Sequence, residues 1–239
     1  MQQQLRDLLA TFNQDSDPVR VRDVLLQYFP DFMTAYGDTA AILGADFYDQ
    51  LRELPPSAGS VASVFAQPAK TAQSEGSVRW ATGFLFGDDP SFDAFTSALL
   101  GASQRLVMQP ARETIDLLAR NDARSGKVAA VRWSRQLSGA DNCDFCRMLA
   151  GRGVVYRSAQ AAGAVIGRGS DRSGFDEDGN RLVGGIGGGV KARGTKRLAA
   201  SYHDNCDCVA VPTFYERQTR VFNVRGYDRT ETVLAPIGS

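Results

Sequence analysis

The four cysteines and the single histidine of this 239-residue chain lie in two short clusters, and this spacing constrains the fold more than any other feature. A C-x-x-C turn directs both sulfurs toward one point, and zinc prefers a tetrahedron of four sulfur or imidazole ligands. We therefore predict one structural zinc ion shared by the two clusters. Its candidate ligands are Cys143, Cys146, His203, Cys206 and Cys208. Five donors are one more than zinc needs, so one is a spare, an outer-sphere group or a substitute ligand.

Other chemistries explain the two clusters less well. A redox C-x-x-C motif needs a βαβ setting and leaves the second cluster unexplained. Disulfides need an oxidising compartment, and a bridge between Cys206 and Cys208 is strained. Catalytic zinc needs an open coordination position and a general base. The deaminase pattern is absent, because Asn205 stands where its glutamate would be.

The zinc ion is predicted to close a long loop. Cys146 and His203 are 57 positions apart, and between them residues 167–201 contain ten glycines and seven Lys or Arg against four acids. Closing such a loop costs about 3–4 kcal/mol of chain entropy, and structural zinc returns several-fold more. A site with one histidine carries a net charge of −1, which we expect Arg147, Arg152 and Arg157 to offset.

The first half of the chain has the hydrophobic spacing of amphipathic helices. Asp17-Pro18 and Ser91 are predicted helix starts, and Pro110 is predicted to kink or restart its helix. The predicted helices cover 5–12, 18–30, 32–54 and 91–121, and the predicted loop covers 55–77.

The second half is predicted to be smaller and mixed. Val128–Trp133 fits either a helix end or a strand, and 154–156 and 208–211 are short β-like runs. The sequence after Phe222 has little periodicity, which predicts disorder or ordering by a partner. The fold class is therefore α+β. It comprises a helical region over 1–125, a zinc-bound α+β region over 126–216 with the Gly-rich loop 167–201, and a tail over 217–239.

Charge and motifs exclude several functions. The net charge is zero, although residues 1–125 carry 16 acids against 10 Lys or Arg and 126–239 carry 11 against 17. The apolar runs are shorter than a membrane span, and the start lacks a signal peptide, so we expect a cytoplasmic chain without membrane contact. There is no G-x-S-x-G or H-E-x-x-H motif, and a metal-bound His203 leaves no histidine for acid–base catalysis. We predict that the chain is not an enzyme.

The two clusters and their surroundings resemble a known family. The strings Cys143–Tyr156 and Tyr202–Pro212 resemble the phage Mu F-like (MuF) minor head proteins, especially those of actinobacterial phages and prophages. Tyr36–Ala41, Phe47–Arg52 and Gln104-Arg105 resemble the helical lead-in of that family. Only the five candidate ligands carry over, and no catalytic residue does.

The resemblance implies a non-enzymatic minor capsid protein that aids head assembly and DNA packaging or ejection. Its implied partners are the portal protein and the major capsid or scaffold protein. Its implied location is the capsid interior of the virion, with the host cytoplasm during assembly. The loop residues Lys191, Arg193, Lys196 and Arg197 are candidate contacts to packaged DNA, although a solvated loop is favoured. The alternatives are a nucleic-acid-binding zinc module and a zinc-dependent hydrolase or transferase.

Overall fold

A computed structural model describes residues 1–52, 64–138, 142, 144–163, 166–167, 196–197 and 208–237. This part of the chain is a set of helices followed by a small antiparallel sheet, which confirms the predicted α+β class. The helices are α1 (Gln2–Leu9), α2 (Pro18–Arg52), α3 (Thr71–Thr82), α4 (Phe92–Arg124), α5 (Asp144–Ala150) and α6 (Ala159–Gly163). The strands are β1 (Ala130–Gln136), β2 (Ile166–Gly167), β3 (Lys196–Arg197), β4 (Val209–Val224) and β5 (Tyr227–Pro236).

The starts of α2 and α4 follow from local capping. An oxygen of Asp17 accepts a hydrogen bond of 3.0 Å from the amide of Val19, and Ser91 Oγ accepts one of 3.2 Å from the amide of Ala94. Both side chains satisfy amides that the first helical turn leaves without a partner. The two predicted starts are confirmed.

The predicted break at Pro30 is wrong, and α4 also continues through Pro110. Proline inside a helix costs about 3 kcal/mol. The neighbours Phe29 and Met33 are 1% and 0% exposed, and burial of such side chains contributes about 1.5–3 kcal/mol each. Packing of the whole face thus offsets the lost hydrogen bond, and α2 stays continuous.

Helix α3 lies partly inside the predicted loop 55–77, so that prediction is wrong for residues 71–77; residues 53–63 lie outside the described residues. Ser74, Val78 and Ala81 form its buried face. Small and polar residues carry most of this face, so its helical period is weak in the sequence. The Gln73 side chain accepts a hydrogen bond of 3.1 Å from the amide of Lys70 and caps the first turn.

Strand β4 is the centre of a three-stranded sheet with the order β1-β4-β5. Its first half pairs antiparallel with β1, from Gln136 opposite Val209 to Ala130 opposite Tyr215. Its second half pairs with β5. The strand alternative for 128–133 is therefore the one observed. Of the β-like run 154–156, Tyr156 forms a single bridge to Trp133.

The tail forms a β-hairpin with β4, so of the two alternatives predicted after Phe222 disorder is wrong, and ordering by a partner stays a prediction. We call residues 216–234, the outer part of β4 and β5, the arm. Arg225 and Gly226 both have positive φ, 54° and 87°, as a type I′ turn requires. The arm was not predicted because both of its faces are mostly exposed, so its sequence lacks the alternation of a half-buried strand.

Among the described residues two hydrophobic clusters form the core, and α2 and α4 contribute to both. The first cluster packs α1, α2, α3 and α4 together around residues such as Phe29 and Phe95. The second joins the ends of α2 and α4 to the sheet through Tyr48, Trp133 and Phe214. The division of the chain near residue 125 stays a prediction.

Helices α2 and α4 approach closely at two glycines. A Cβ atom on Gly44 would lie 2.8 Å from the carbonyl oxygen of Ala111 and 2.9 Å from its Cα. A Cβ atom on Gly37 would lie 3.4 Å from Cγ of Pro110 on α4, and 2.9 Å from Cβ of Pro68 in the segment before α3. Position 44 therefore requires glycine, because the backbone of α4 leaves no space there for a side chain.

A buried polar group lies in the second cluster. Tyr48 Oη donates a hydrogen bond of 2.7 Å to Asp122 Oδ2, and Asp122 is 1% exposed. Arg52 Nε lies 2.7 Å from the same oxygen, but it is too poorly aligned for a hydrogen bond. Burial raises the pKa of Tyr48 far above its ordinary value, and the hydrogen bond to Asp122 raises it further.

We predict that Gly44→Ala lowers the free energy of unfolding by about 1–3 kcal/mol, because the added methyl group has no space between the helices. The matched control is Gly76→Ala on α3, where an added Cβ meets nothing within 4 Å. That change is expected to raise the free energy of unfolding by up to about 1 kcal/mol, because alanine has a higher helix propensity than glycine. Urea unfolding of both variants measures the difference, and equal stability of the two would contradict the close crossing.

We predict that Tyr48 makes the protein less stable at alkaline pH. Above about pH 10 an unfolded tyrosine releases its proton while the folded one keeps it, so the free energy of unfolding falls by up to about 1.4 kcal/mol per pH unit. Below that pH the tyrosine is protonated in both states, so its titration does not change the free energy of unfolding with pH. Tyr48→Phe should be less stable near pH 7 because it loses the hydrogen bond, yet its stability should fall less steeply between pH 10 and 11. The control Tyr227→Phe keeps Tyr48 and therefore the wild-type slope; equal slopes in all three proteins would exclude this role.

Candidate metal centre

One cysteine from each sequence cluster meets at the junction of α5 and β4. Cys146 lies on α5 and Cys208 directly precedes β4, and the two Sγ atoms are 3.1 Å apart. Both residues are buried, at 2% and 0% exposure. Cys143, His203 and Cys206 lie outside the described residues. Within the described ranges there is no group of three or more His, Cys, Asp or Glu side chains that could hold a metal.

The distance between the two sulfurs is compatible with a shared ligand. It exceeds the length of a disulfide bond, about 2.05 Å. Two sulfurs on one tetrahedral zinc, each about 2.3 Å from the metal, lie about 3.8 Å apart. A separation of 3.1 Å therefore needs less than about 1 Å of outward movement to hold zinc. The two described donors fit the metal in type, burial and spacing.

The guanidinium of Arg135 contacts both sulfurs. Its Nη2 donates to Cys208 Sγ at 2.8 Å and to Cys146 Sγ at 3.3 Å, and its Nε donates to Cys208 Sγ at 3.2 Å. Its Nη1 donates to the carbonyl oxygen of Ala162 at 3.1 Å. Arg135 is 2% exposed. Because a guanidinium has donors and no acceptor, the sulfurs act here as acceptors.

The β1–β4 ladder explains why Arg135 reaches this position. Side chains alternate across a strand, so Trp133 and Arg135 point to the same buried side of β1. Arg135 is opposite Ala210 in the ladder, two residues after Cys208. The backbone of Cys208 is also held, because Arg112 Nη2 of α4 donates to its carbonyl oxygen at 3.1 Å.

Tyr156 fixes the end of α5 near the thiols. Its hydroxyl donates a hydrogen bond of 2.8 Å to the carbonyl oxygen of Leu149, and its backbone exchanges two hydrogen bonds with Trp133. Burial raises the pKa of Tyr156, so its hydroxyl remains a donor at neutral pH. The helix that carries Cys146 is thus attached to β1, the strand that carries Arg135.

The prediction that Arg147, Arg152 and Arg157 offset the charge of the site stays a prediction, and the structure adds a fourth arginine that was not predicted. All three side chains are exposed, and the buried guanidinium at the sulfurs belongs to Arg135. Arg135 was missed because β1 was not recognised as a strand over its full length. The alternation of Trp133 and Arg135 was the signal that would have placed this arginine on the buried face.

Little of the predicted DNA-contacting loop lies in the described residues. Lys191 and Arg193 are outside them. Lys196 and Arg197 form β3, which pairs with β2 through Arg197 opposite Ile166 and Lys196 opposite Gly167. DNA contact by the loop stays a prediction. Among the described helices, none is long and apolar enough to cross a lipid bilayer.

Comparison with known proteins identifies the family. Residues 1–233 match the sequence profile of the VG15 protein family. The chain belongs to this family. The VG15 match covers the helices, the thiol pair and all but the last residue of the arm.

Two relatives place this VG15 protein among bacteriophage proteins. Gene 15 protein of Mycobacterium phage L5 is 31% identical over 204 residues, which cover 78% of this chain and 63% of the relative. Gene 15 protein of Mycobacterium phage D29 is 29% identical over 196 residues, with 78% and 64% covered. The chain thus spans just under two thirds of the length of these relatives. No solved structure has significant similarity to it. The finer assignment to MuF-like minor head proteins stays a prediction.

Proposed function

We propose that this chain is a non-enzymatic minor head protein of a phage, with one structural zinc ion, that acts in head assembly and in DNA packaging or ejection. The observation that carries the proposal is the buried contact between Cys146 and Cys208 in a member of a bacteriophage family. It joins the two segments whose sequence resembles minor head proteins. The sulfurs are enclosed by protein, as in structural zinc sites, which have no open position for a substrate.

The zinc would be held by four of the five candidate ligands. Cys146 and Cys208 are the two whose positions support this, since both sulfurs face one point. The other donors are Cys143, His203 and Cys206, which the spacing of the motifs supplies. When bound, zinc joins α5 to the start of β4 and contributes folding free energy.

The arm supports a role in assembly with another protein. Phe222, Val224 and Tyr227 lie on one of its faces, since Val224 is opposite Tyr227 in the ladder. They are 41%, 51% and 80% exposed. A two-stranded hairpin is only marginally stable alone in water, and a partner that covers this apolar face would stabilise it. We propose the portal protein as that partner, with the major capsid or scaffold protein as the other candidates, and the capsid interior as the location.

We predict one zinc ion per chain in protein purified without chelator. Cys146→Ser and Cys208→Ser should lose the metal and unfold at a lower temperature, because each removes one ligand and the folding free energy that the metal supplies. Met148→Ser is the matched control, since Met148 lies on the same helix and is 45% exposed. Elemental analysis with thermal unfolding measures both effects. Wild-type protein without zinc, even from zinc-supplemented cells, would refute the metal site.

We predict that purified virions of the parent phage contain this chain in fewer copies than the major capsid protein, as quantitative mass spectrometry would show. Tyr227→Asp should lower its incorporation about tenfold or more, because it places a charge in a desolvated protein contact. Thr219→Asp is the control: Thr219 is exposed on the opposite face of the arm. Absence of the chain from both virions and procapsids would reject the head-protein function. Equal loss of incorporation in the two variants would reject the apolar face as the contact.

A further inference from the structure

We propose that Arg135 is the positioning residue of the metal centre, holding the sulfurs of Cys146 and Cys208 together before zinc arrives and balancing their charge afterwards. This inference rests on the zinc site of the proposed function. It goes beyond the five candidate ligands, because Arg135 belongs to neither motif.

The geometry assigns one guanidinium to both sulfurs. Nη2 lies 2.8 Å from Cys208 Sγ and 3.3 Å from Cys146 Sγ, so a single nitrogen bridges the pair. Nε adds a second contact to Cys208 Sγ at 3.2 Å. Nη1 is held by the carbonyl oxygen of Ala162 at 3.1 Å, which fixes the plane of the group. An arginine with three of its nitrogens engaged is oriented by its surroundings and orients the sulfurs in turn.

The positive charge of Arg135 lowers the electrostatic repulsion between the two sulfurs. Zinc binds cysteine as the thiolate, and two thiolates 3.1 Å apart repel each other strongly in a buried site. Arginine keeps its positive charge in proteins, so a bridging guanidinium offsets the repulsion. After metal binding the same cation compensates the negative charge of a site rich in thiolates. Hydrogen bonds to metal-bound sulfur also change how strongly the sulfur donates electrons.

The strand geometry supplies a matched control. Arg132 lies on the same strand, β1, three residues before Arg135, and its guanidinium donates to the carbonyl oxygen of Val131 at 3.3 Å. Replacing either arginine by methionine removes one positive charge from β1. Only the change at Arg135 removes the hydrogen bonds to sulfur.

The test is a cobalt(II) and zinc(II) titration of the full chain with Arg135→Met, Arg135→Lys and Arg132→Met. We expect Arg135→Met to weaken zinc binding about 10–100-fold, measured by competition with a chromophoric chelator. We expect its sulfur-to-cobalt charge-transfer band to move to longer wavelength, because sulfur without hydrogen bonds gives up electrons more easily. Lysine keeps the positive charge but lacks the planar guanidinium with its several donors. The zinc affinity and the cobalt band position of Arg135→Lys should therefore lie between those of Arg135→Met and the wild type. Arg132→Met should match the wild type in affinity and in band position.

The outcomes separate this inference from the proposed function. If the wild type binds zinc and both Arg135 variants keep its affinity and its cobalt band, the role of Arg135 is refuted while the zinc site stands. If the wild type binds neither metal, the zinc site fails, and this inference fails with it. If Arg135→Met does not fold, the cobalt band of folded Arg135→Lys decides, and an unchanged band overturns the proposal.

Discussion

The close crossing of α2 and α4 is the contact on which the rest of the structure depends. Both helices are more than thirty residues long and supply side chains to both hydrophobic clusters, so their relative position sets the position of everything packed on them. Gly44 lets the backbones approach at Ala111. Further along α4, Asp122 reaches Tyr48 of α2, and Arg112 reaches the backbone of Cys208. The helix pair therefore positions the sheet as well as the helical core.

In the helical half, the sequence predicted those features that depend on interactions between neighbouring residues. The helix starts at Asp17-Pro18 and Ser91 were recognised because the start of a helix depends only on the next few residues. Pro30 was misread because the burial that keeps α2 continuous comes from residues distant in the sequence. The arm was missed for the opposite reason: it packs little against the body, so no pattern of burial marks it, and the turn Arg225-Gly226 lacks the Asn-Gly or Asp-Gly pair that announces most such hairpins.

The sequence predicted that the two cysteine clusters come together, but it did not predict the buried arginine between them; the metal site itself stays a prediction. Metal-ligand spacing is a property of short motifs, and one member of each motif, Cys146 and Cys208, does lie at the same point. Arg135 reaches that point only through the register of β1 on β4, which a single sequence does not specify. Its charge also made it look like a surface residue, since arginine is seldom buried without an acceptor. Thiols are uncommon acceptors for arginine, so the pairing could not be anticipated from residue types alone.

The arm and the thiol pair share one strand, and this has a mechanical consequence. Cys208 stands directly before β4, and the seven residue pairs between β1 and β4 lie between it and the arm. A pull along the strand axis loads all seven pairs in shear, so they resist together and shield the cysteine. A sideways pull loads the pairs one after another from the end near Tyr215, and each rupture brings the strain closer to Cys208. The direction in which a neighbouring protein draws on the arm thus decides whether the thiol pair bears any of the force.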